Sequence, residues 1–172
     1  TASAISTVQV ESNGRAVLGI GRGDSSLGYI GGKPAPATQL AEYVEQVQTY
    51  LRGDAVDING YPSDIYWINE NDQPKVPLEV ASTGPKVIRL AAEHAERITF
   101  AMGADAVRLK RGVKDAQIAA EKIGRDPKEL SFGAYINIAC DDNAKRGCDI
   151  VRGSVGTFAH FSGMSVAAHA GL

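Results

Sequence analysis

Short apolar runs alternate along the chain with stretches in which apolar residues recur every three or four positions, and the alternation repeats four times. Arg15-Ala-Val-Leu-Gly-Ile-Gly21 is the first run. It is bounded by Gly14 and Gly23 and suits a strand buried on both faces. Leu40, Tyr43, Val44, Val47 and Leu51 follow at helical spacing until Gly53. Val76-Pro-Leu-Glu-Val-Ala81 reads as the second strand, and Pro85 opens a helix whose apolar face is Val87, Ile88, Leu90, Ala91 and Ala95. Ile98-Thr-Phe-Ala-Met102 is the third strand. Asp105 is placed to cap a helix carrying Val107, Val113, Ala116, Ala119, Ala120 and Ile123, with Gly124 as its stop. Phe132-Gly-Ala-Tyr-Ile-Asn-Ile-Ala139 is the fourth strand. Asp141 or Asp142 then caps a helix with Ala144, Cys148, Val151, Val155 and Phe158 on one face. Ahead of these units, Ala2, Ile5, Val8 and Val10 mark a helix-like start.

Strands alternating with amphipathic helices imply a parallel sheet with right-handed crossovers. The pattern fits a single domain over residues 1–172, either an open doubly wound sheet or an arc of a barrel. A closed (β/α)8 barrel takes about 250 residues, so this chain supplies only part of one. Residues 54–74 are polar and turn-rich, too long for an ordinary α/β connection, and read as an insertion with short strands of its own. Its Tyr61, Tyr66 and Trp67 either line a pocket or pack under the loop. The chain starts at Thr1 without an initiator Met and inside a helical pattern, as a segment of something longer would.

Composition narrows the function classes. Hydrophobic residues make up 44% and charged residues 22%, with a net charge of −2; the basic residues are scattered, so no nucleic-acid surface is expected. No apolar run is long enough to span a membrane. Cys140 and Cys148 make neither a disulfide framework nor a zinc site, and are expected to be buried or half-buried thiols of a cytoplasmic protein. His94, His160 and His169 lack a carboxylate or cysteine at ligand spacing, so no metal site or hydrolytic triad is expected.

Two glycine-containing loops carry the candidate chemistry, each directly after a strand: Gly19-Ile-Gly21-Arg-Gly23-Asp24-Ser25-Ser26 and Ser82-Thr83-Gly84-Pro85. Sites in parallel α/β folds lie at the carboxyl ends of strands. Glycine lets backbone approach a ligand closely, and the free N–H groups of a helix start attract a phosphate. Ser82 and Thr83 are potential hydroxyl donors. A plain strand–turn–helix junction accounts for residues 82–85 taken alone; the three alternating glycines of the first loop exceed what a turn requires. That loop is not a dinucleotide fingerprint, because the third glycine position falls on Asp24 or Ser26 and no helix is expected to begin at once. Gly-Lys-Ser/Thr of a Walker loop is also missing. Asp24 has two readings, an acid/base or orienting group for a ligand, and a stabiliser of its own loop.

In their order along the chain, Gly14-Arg-Ala-Val-Leu-Gly-Ile-Gly-Arg-Gly-Asp24, Leu51-Arg-Gly-Asp54, Val76-Pro77, Ala81-Ser-Thr-Gly-Pro85 and Gly124-Arg-Asp-Pro127 resemble luciferase-like oxidoreductases. Gly21-Arg-Gly-Asp-Ser-Ser26, Lys33-Pro-Ala-Pro36 and Phe158-Ala-His-Phe-Ser162 resemble the branch that uses the deazaflavin coenzyme F-420, the methylenetetrahydromethanopterin-reductase-like group. The resemblance runs over roughly residues 1–164. It implies a TIM-type (β/α)8 barrel with an insertion, of which this chain supplies strands four to seven.

By the same resemblance, Gly21, Gly23, Ser25, Ser82, Thr83 and Gly84 hold the phosphate tail of coenzyme F-420 or FMN, and Asp24 takes part in proton transfer. Sugar-phosphate dehydrogenases of the superfamily carry a basic residue just after strand six; Gly103-Ala-Asp105 stands here, which speaks against a sugar-phosphate substrate. The implied activity is hydride transfer between coenzyme F-420 and a small organic substrate, with an FMN-dependent monooxygenase as the alternative. A segment without catalysis, persisting only by association, is the alternative of another class. A homodimer is expected, because four units leave two sheet edges and the barrel interior uncovered.

Overall fold

The structure, a computed structural model, describes residues 1–169, except the side chains of residues 24–26 and 160–169. The candidate side chains of Asp24, Ser25, His160 and His169 lie outside the described residues.

The chain starts with α1 (Ala2–Glu11), β1 (Leu18–Ile20), α2 (Asp24–Tyr29) and α3 (Ala37–Leu51). The insertion follows as a hairpin, β2 (Val56–Ile58) and β3 (Tyr61–Ser63), turned at Asn59-Gly60, and a 3-10 turn over Tyr66–Glu70. Then come β4 (Leu78–Ser82), α4 (Pro85–His94), β5 (Arg97–Phe100), α5 (Ala106–Lys122), β6 (Ser131–Ala134) and α6 (Ala144–His169). Strands β1, β4, β5 and β6 pair in that order, all parallel. This is an arc of a (β/α)8 barrel, with β1 and β6 as its two bare edges.

Register fixes what each face of the sheet carries. Val80 lies beside Ile20 on one side and Ile98 on the other, and Ser82 lies beside Phe100. Residues at paired positions point the same way, so Ile20, Leu78, Val80, Ile98 and Phe100 turn together toward the helices. With Val44 and Val47 of α3, Ile88 and Ala91 of α4, and Ala116 and Ala120 of α5 they form the core. The opposite face carries Gly19, Glu79, Ala81, Arg97, Thr99, Ser131 and Gly133, mostly small or polar. Within the described residues no helix covers it.

Several sequence expectations need correction. The first strand is only Leu18–Ile20 and is not buried on both faces: Gly19 is exposed on the uncovered side. A short helix, α2, does begin at once after Gly23, because Gly23 takes a left-handed conformation (φ 79°, ψ 36°) that turns the chain directly into it. In α1 the buried residues are Ala2, Ser6 and Gln9, while Val8 and Val10 are exposed. Gln9 sets that rotation: its amide donates to Pro74 O (2.8 Å) and accepts from Ala16 N–H (2.8 Å). Val107 and Ile123, at the two ends of α5, are exposed rather than packed.

The fourth strand stops at Ala134, leaving Tyr135, Ile136 and Ile138 exposed. The last helix is capped by neither aspartate. Asn143 Oδ1 accepts Arg146 N–H (3.1 Å), while Asp141 accepts Asn143 N–H and pairs with Arg146 (2.6 Å), which holds its carboxyl below the usual range. Ala144, Cys148 and Val155 of α6 are exposed, and no described residue of α6 joins the core. Both cysteines are exposed. Tyr61 of the hairpin and Tyr66 of the 3-10 turn project into solvent.

Candidate functional site

The two glycine loops leave adjacent strands at the same rim. Ile20 is paired with Val80, and a Cβ on Gly21 would touch Ala81 Cβ at 3.8 Å. Further along, Ala101 N–H donates to Ser82 O (2.9 Å) and Tyr135 N–H to Phe100 O (2.9 Å), so the loops after β1, β4, β5 and β6 form one continuous rim at the carboxyl ends of the strands.

The first loop is closed at its base by Arg22. Its carbonyl accepts Ala35 N–H (3.3 Å) and its Nε donates to Ala35 O (2.7 Å), so α2 and the Gly/Pro-rich stretch after it form an excursion tied at one residue. The remaining guanidinium nitrogens have no partner among the described residues. The sequence reading passed over Arg22; its place between Gly21 and Gly23 is the signal that marks it.

In the second loop, Ser82 is 1% exposed and its hydroxyl leans on Val80 O (3.4 Å). The expectation of a hydroxyl donor at Ser82 is therefore corrected, because strand alternation turns that side chain into the core. Thr83 is half-buried at the rim. Gly84 precedes α4 with φ −100° and ψ 160°, a conformation open to any residue, yet a Cβ there would meet nothing within 4 Å. The open space above its backbone, rather than backbone strain, is what a side chain at residue 84 would change.

Helix caps divide the rim in two. Asp105 Oδ1 accepts Val107 and Arg108 N–H (3.0 and 3.1 Å) at the start of α5, and Asn143 does the same for α6. The starts of α2, α3 and α4, the helices that follow the two glycine loops, receive no side-chain cap. At α4 this leaves the Lys86 N–H, since Pro85 has none and Val87 N–H donates to Gly84 O (3.1 Å); the positive ends of the dipoles face the rim. The space at Gly84, the uncapped helices and Arg22 suit an anionic group.

Beside this half of the rim, a cleft of about 370 Å³ lies between the loops after β5 and β6 and the helix α6. A larger cavity of about 570 Å³ lies at the opposite end of the sheet, where the end of the insertion and Lys75-Val76 meet α1 and the end of α3. Among the described residues no group of His, Cys, Asp and Glu is arranged to hold a metal ion, and no helix is long and apolar enough to cross a membrane.

Residues 1–164 match the family of luciferase-like monooxygenases. The chain belongs to that family. A 5,10-methylenetetrahydromethanopterin reductase from Methanolobus tindarius is 28% identical over 152 residues, 85% of this chain and 45% of that protein. The reductase of the same name from Archaeoglobus fulgidus is 30% identical over 166 residues, 88% of this chain and 47% of that protein. Among solved structures, an F-420-dependent secondary alcohol dehydrogenase in complex with an F-420–acetone adduct superposes with a TM-score of 0.77 at 19% identity, covering 91% of this chain and 50% of that one. At that identity the likeness establishes the fold. The chain thus spans about half the length of the curated relatives it matches.

Proposed function

We propose that this chain is the cofactor-tail-holding half of an oxidoreductase that moves hydride between coenzyme F-420 and a small organic substrate. The observation that carries the reading is the open space over the Gly84 backbone at the exit of β4, beside the exit of β1, with the helices that follow both strands left without side-chain caps. Backbone N–H groups around Gly21, Gly23, Thr83 and Gly84 hold the phosphate, joined by Arg22; Ser82 contributes backbone only, and Ser25 a hydroxyl. Bound there, the deazaflavin supplies the hydride chemistry, and the protein supplies binding and orientation. Asp24, the first residue of α2, orients the cofactor or assists proton movement.

Gly84→Leu tests this directly. The backbone at residue 84 accepts any side chain, so the fold survives while the space fills. Cofactor titration followed by absorbance is expected to show affinity reduced at least about tenfold; unchanged affinity refutes the assignment. FMN in place of F-420, serving a monooxygenase, is the second reading, favoured by the description of the matched family. Titrating both cofactors in parallel separates the two. The chain also pairs as a homodimer, supported by the bare edges of β1 and β6 and the uncovered sheet face; if neither cofactor binds, the non-catalytic reading holds instead. The free thiols Cys140 and Cys148 suit the reducing cytoplasm.

A further inference from the structure

Basic residues scattered in sequence gather in the fold. Asp and Glu outnumber Lys and Arg by 20 to 18 over the chain, yet α4 and α5 carry seven Lys and Arg against three Asp and Glu. The insertion, residues 54–74, carries five Asp and Glu and no Lys, Arg or His. Charge is thus separated into two blocks of opposite sign, the arrangement that steers one surface toward another.

The positive block borders a groove of about 230 Å³ between α4 and α5. Pro85 and Ile118 give the groove apolar surface, and Arg89, Arg111 and Lys122 give it cations. Asp115 offsets only Arg111, across 3.9 Å; Arg89 and Lys122 have no partner among the described residues. Helices α4 and α5 follow β4 and β5, the two inner strands of the sheet. The groove therefore stays on the outer surface when strands are added at either edge of the arc.

The insertion offers the counterpart. Asp54 is paired with Arg52, and Asp57 accepts Gly60 N–H, but Asp64, Glu70 and Asp72 are exposed and have no partner among the described residues. Among them stand Tyr61 and Tyr66, 77% and 70% exposed. Tyrosine and arginine anchor protein interfaces, and complementary charges around them fix partner and register. No described residue of the insertion lines the groove of its own chain.

We infer that the acidic, tyrosine-bearing insertion of one copy docks in the basic α4–α5 groove of a second copy. A twofold axis makes the contact twice, insertion to groove and groove to insertion, and so closes a dimer. The inference does not depend on the cofactor reading and uses neither bare sheet edge.

Two variants test it by size-exclusion chromatography with light scattering. Arg89→Glu with Lys122→Glu makes the groove acidic; Asp64→Lys with Glu70→Lys makes the insertion basic. All four residues are exposed, so the fold stands, which thermal unfolding checks. The unaltered chain is expected to run as a dimer whose dissociation constant rises at least about tenfold between about 0.05 and about 0.5 M salt. Each variant alone sets like charge against like and is expected to run as a monomer. Their equimolar mixture restores opposite charge at both contacts and is expected to run as a dimer. A variant that dimerises by itself as the unaltered chain does, or a mixture that stays monomeric, overturns the inference. A monomeric unaltered chain overturns it too, and leaves the groove to an acidic partner other than this chain.

Discussion

Glu96 offers the sharpest test of how this fold is held. It sits in the tight link between α4 and β5 at the amino-terminal end of the sheet. One carboxylate oxygen accepts the N–H of Leu78, the first residue of β4 (2.8 Å), and the other lies 2.9 Å from Lys75 Nζ; Gln48 Nε2 approaches both at 3.2–3.3 Å. Burial pushes this carboxyl up, but the Leu78 N–H, the Lys75 ammonium and the Gln48 amide outweigh it and hold it below its ordinary value. Glu96→Ala leaves the Leu78 N–H without its acceptor and takes the carboxylate from Lys75, whose ammonium keeps Gln48 Oε1 (2.7 Å) and Val76 O (3.1 Å). A hydrogen bond to a charged group contributes about 1.5–3 kcal/mol. The ion pair keeps roughly a third of its surface (30% and 35%), so solvent screening holds its share to at most about 1 kcal/mol. The expected total is about 2–3 kcal/mol, and Glu96→Gln, which keeps an acceptor for Leu78 but not the charge, should lose about 1 kcal/mol. Because the folded carboxyl titrates below the unfolded one, its stabilisation is complete above the unfolded value and vanishes as pH falls through the folded value. Urea unfolding of both proteins at about pH 7 and about pH 3 measures this. The gap between wild type and Glu96→Gln should narrow in acid; a gap of constant size would refute the linkage.

Three further substitutions probe separate parts of the scaffold. A side chain at Gly112 in α5 would drive its Cβ to 2.9 Å from the Phe100 ring and 3.0 Å from Met102 Cε, and Phe100 is itself buried and stacked on Phe132, so Gly112→Leu should cost about 1–3 kcal/mol in urea unfolding. Arg125→Met removes donors to Ala92 O (3.0 Å) and Ala95 O (2.7 Å); faster amide hydrogen exchange at the end of α4 and a loss of about 1–2 kcal/mol are expected, and unchanged exchange there would count against the cap. Asp105→Ala should lower stability by about 1 kcal/mol and Asp105→Asn by much less, read by thermal unfolding.

The strand–helix rhythm was legible because it depends on burial period alone. Val87, Ile88, Leu90 and Ala91 all lie in the core as spacing requires, and Asp105 caps α5 through the bond its position predicts. Where an amide rather than apolar bulk sets an orientation, periodicity misleads: Gln9 buries itself by bonding Pro74 and Ala16, and Val8 and Val10 are carried outward. The Gly124-Arg-Asp-Pro127 run was visible as a motif, but its reason was not, since the carbonyls that Arg125 caps lie 30 and 33 residues away. The two glycine loops were found from sequence. Their adjacency needed the β1–β4 pairing, and the role of Arg22 needed the Arg22–Ala35 closure, neither of which is local.

The two ends of the sheet are built on opposite terms. At the amino-terminal end a polar side chain clamps the start of each strand: Gln9 ahead of β1 and β4, Glu96 with Lys75 and Gln48 between β4 and β5, and Arg125 ahead of β6. These bonds join segments far apart in sequence and leave little freedom to the strand starts. At the carboxyl end the backbone is left open at Gly84, with uncapped helices beyond the first two strands, and self-capped helices only where the apolar cleft begins. Backbone polar groups normally find partners; at this rim α5 and α6 take theirs from their own side chains, while α2, α3 and α4 have no side-chain cap. The clamps at one end are what allow the other to stay open: a rim with unsatisfied donors keeps its geometry only if the strands beneath it are held from below.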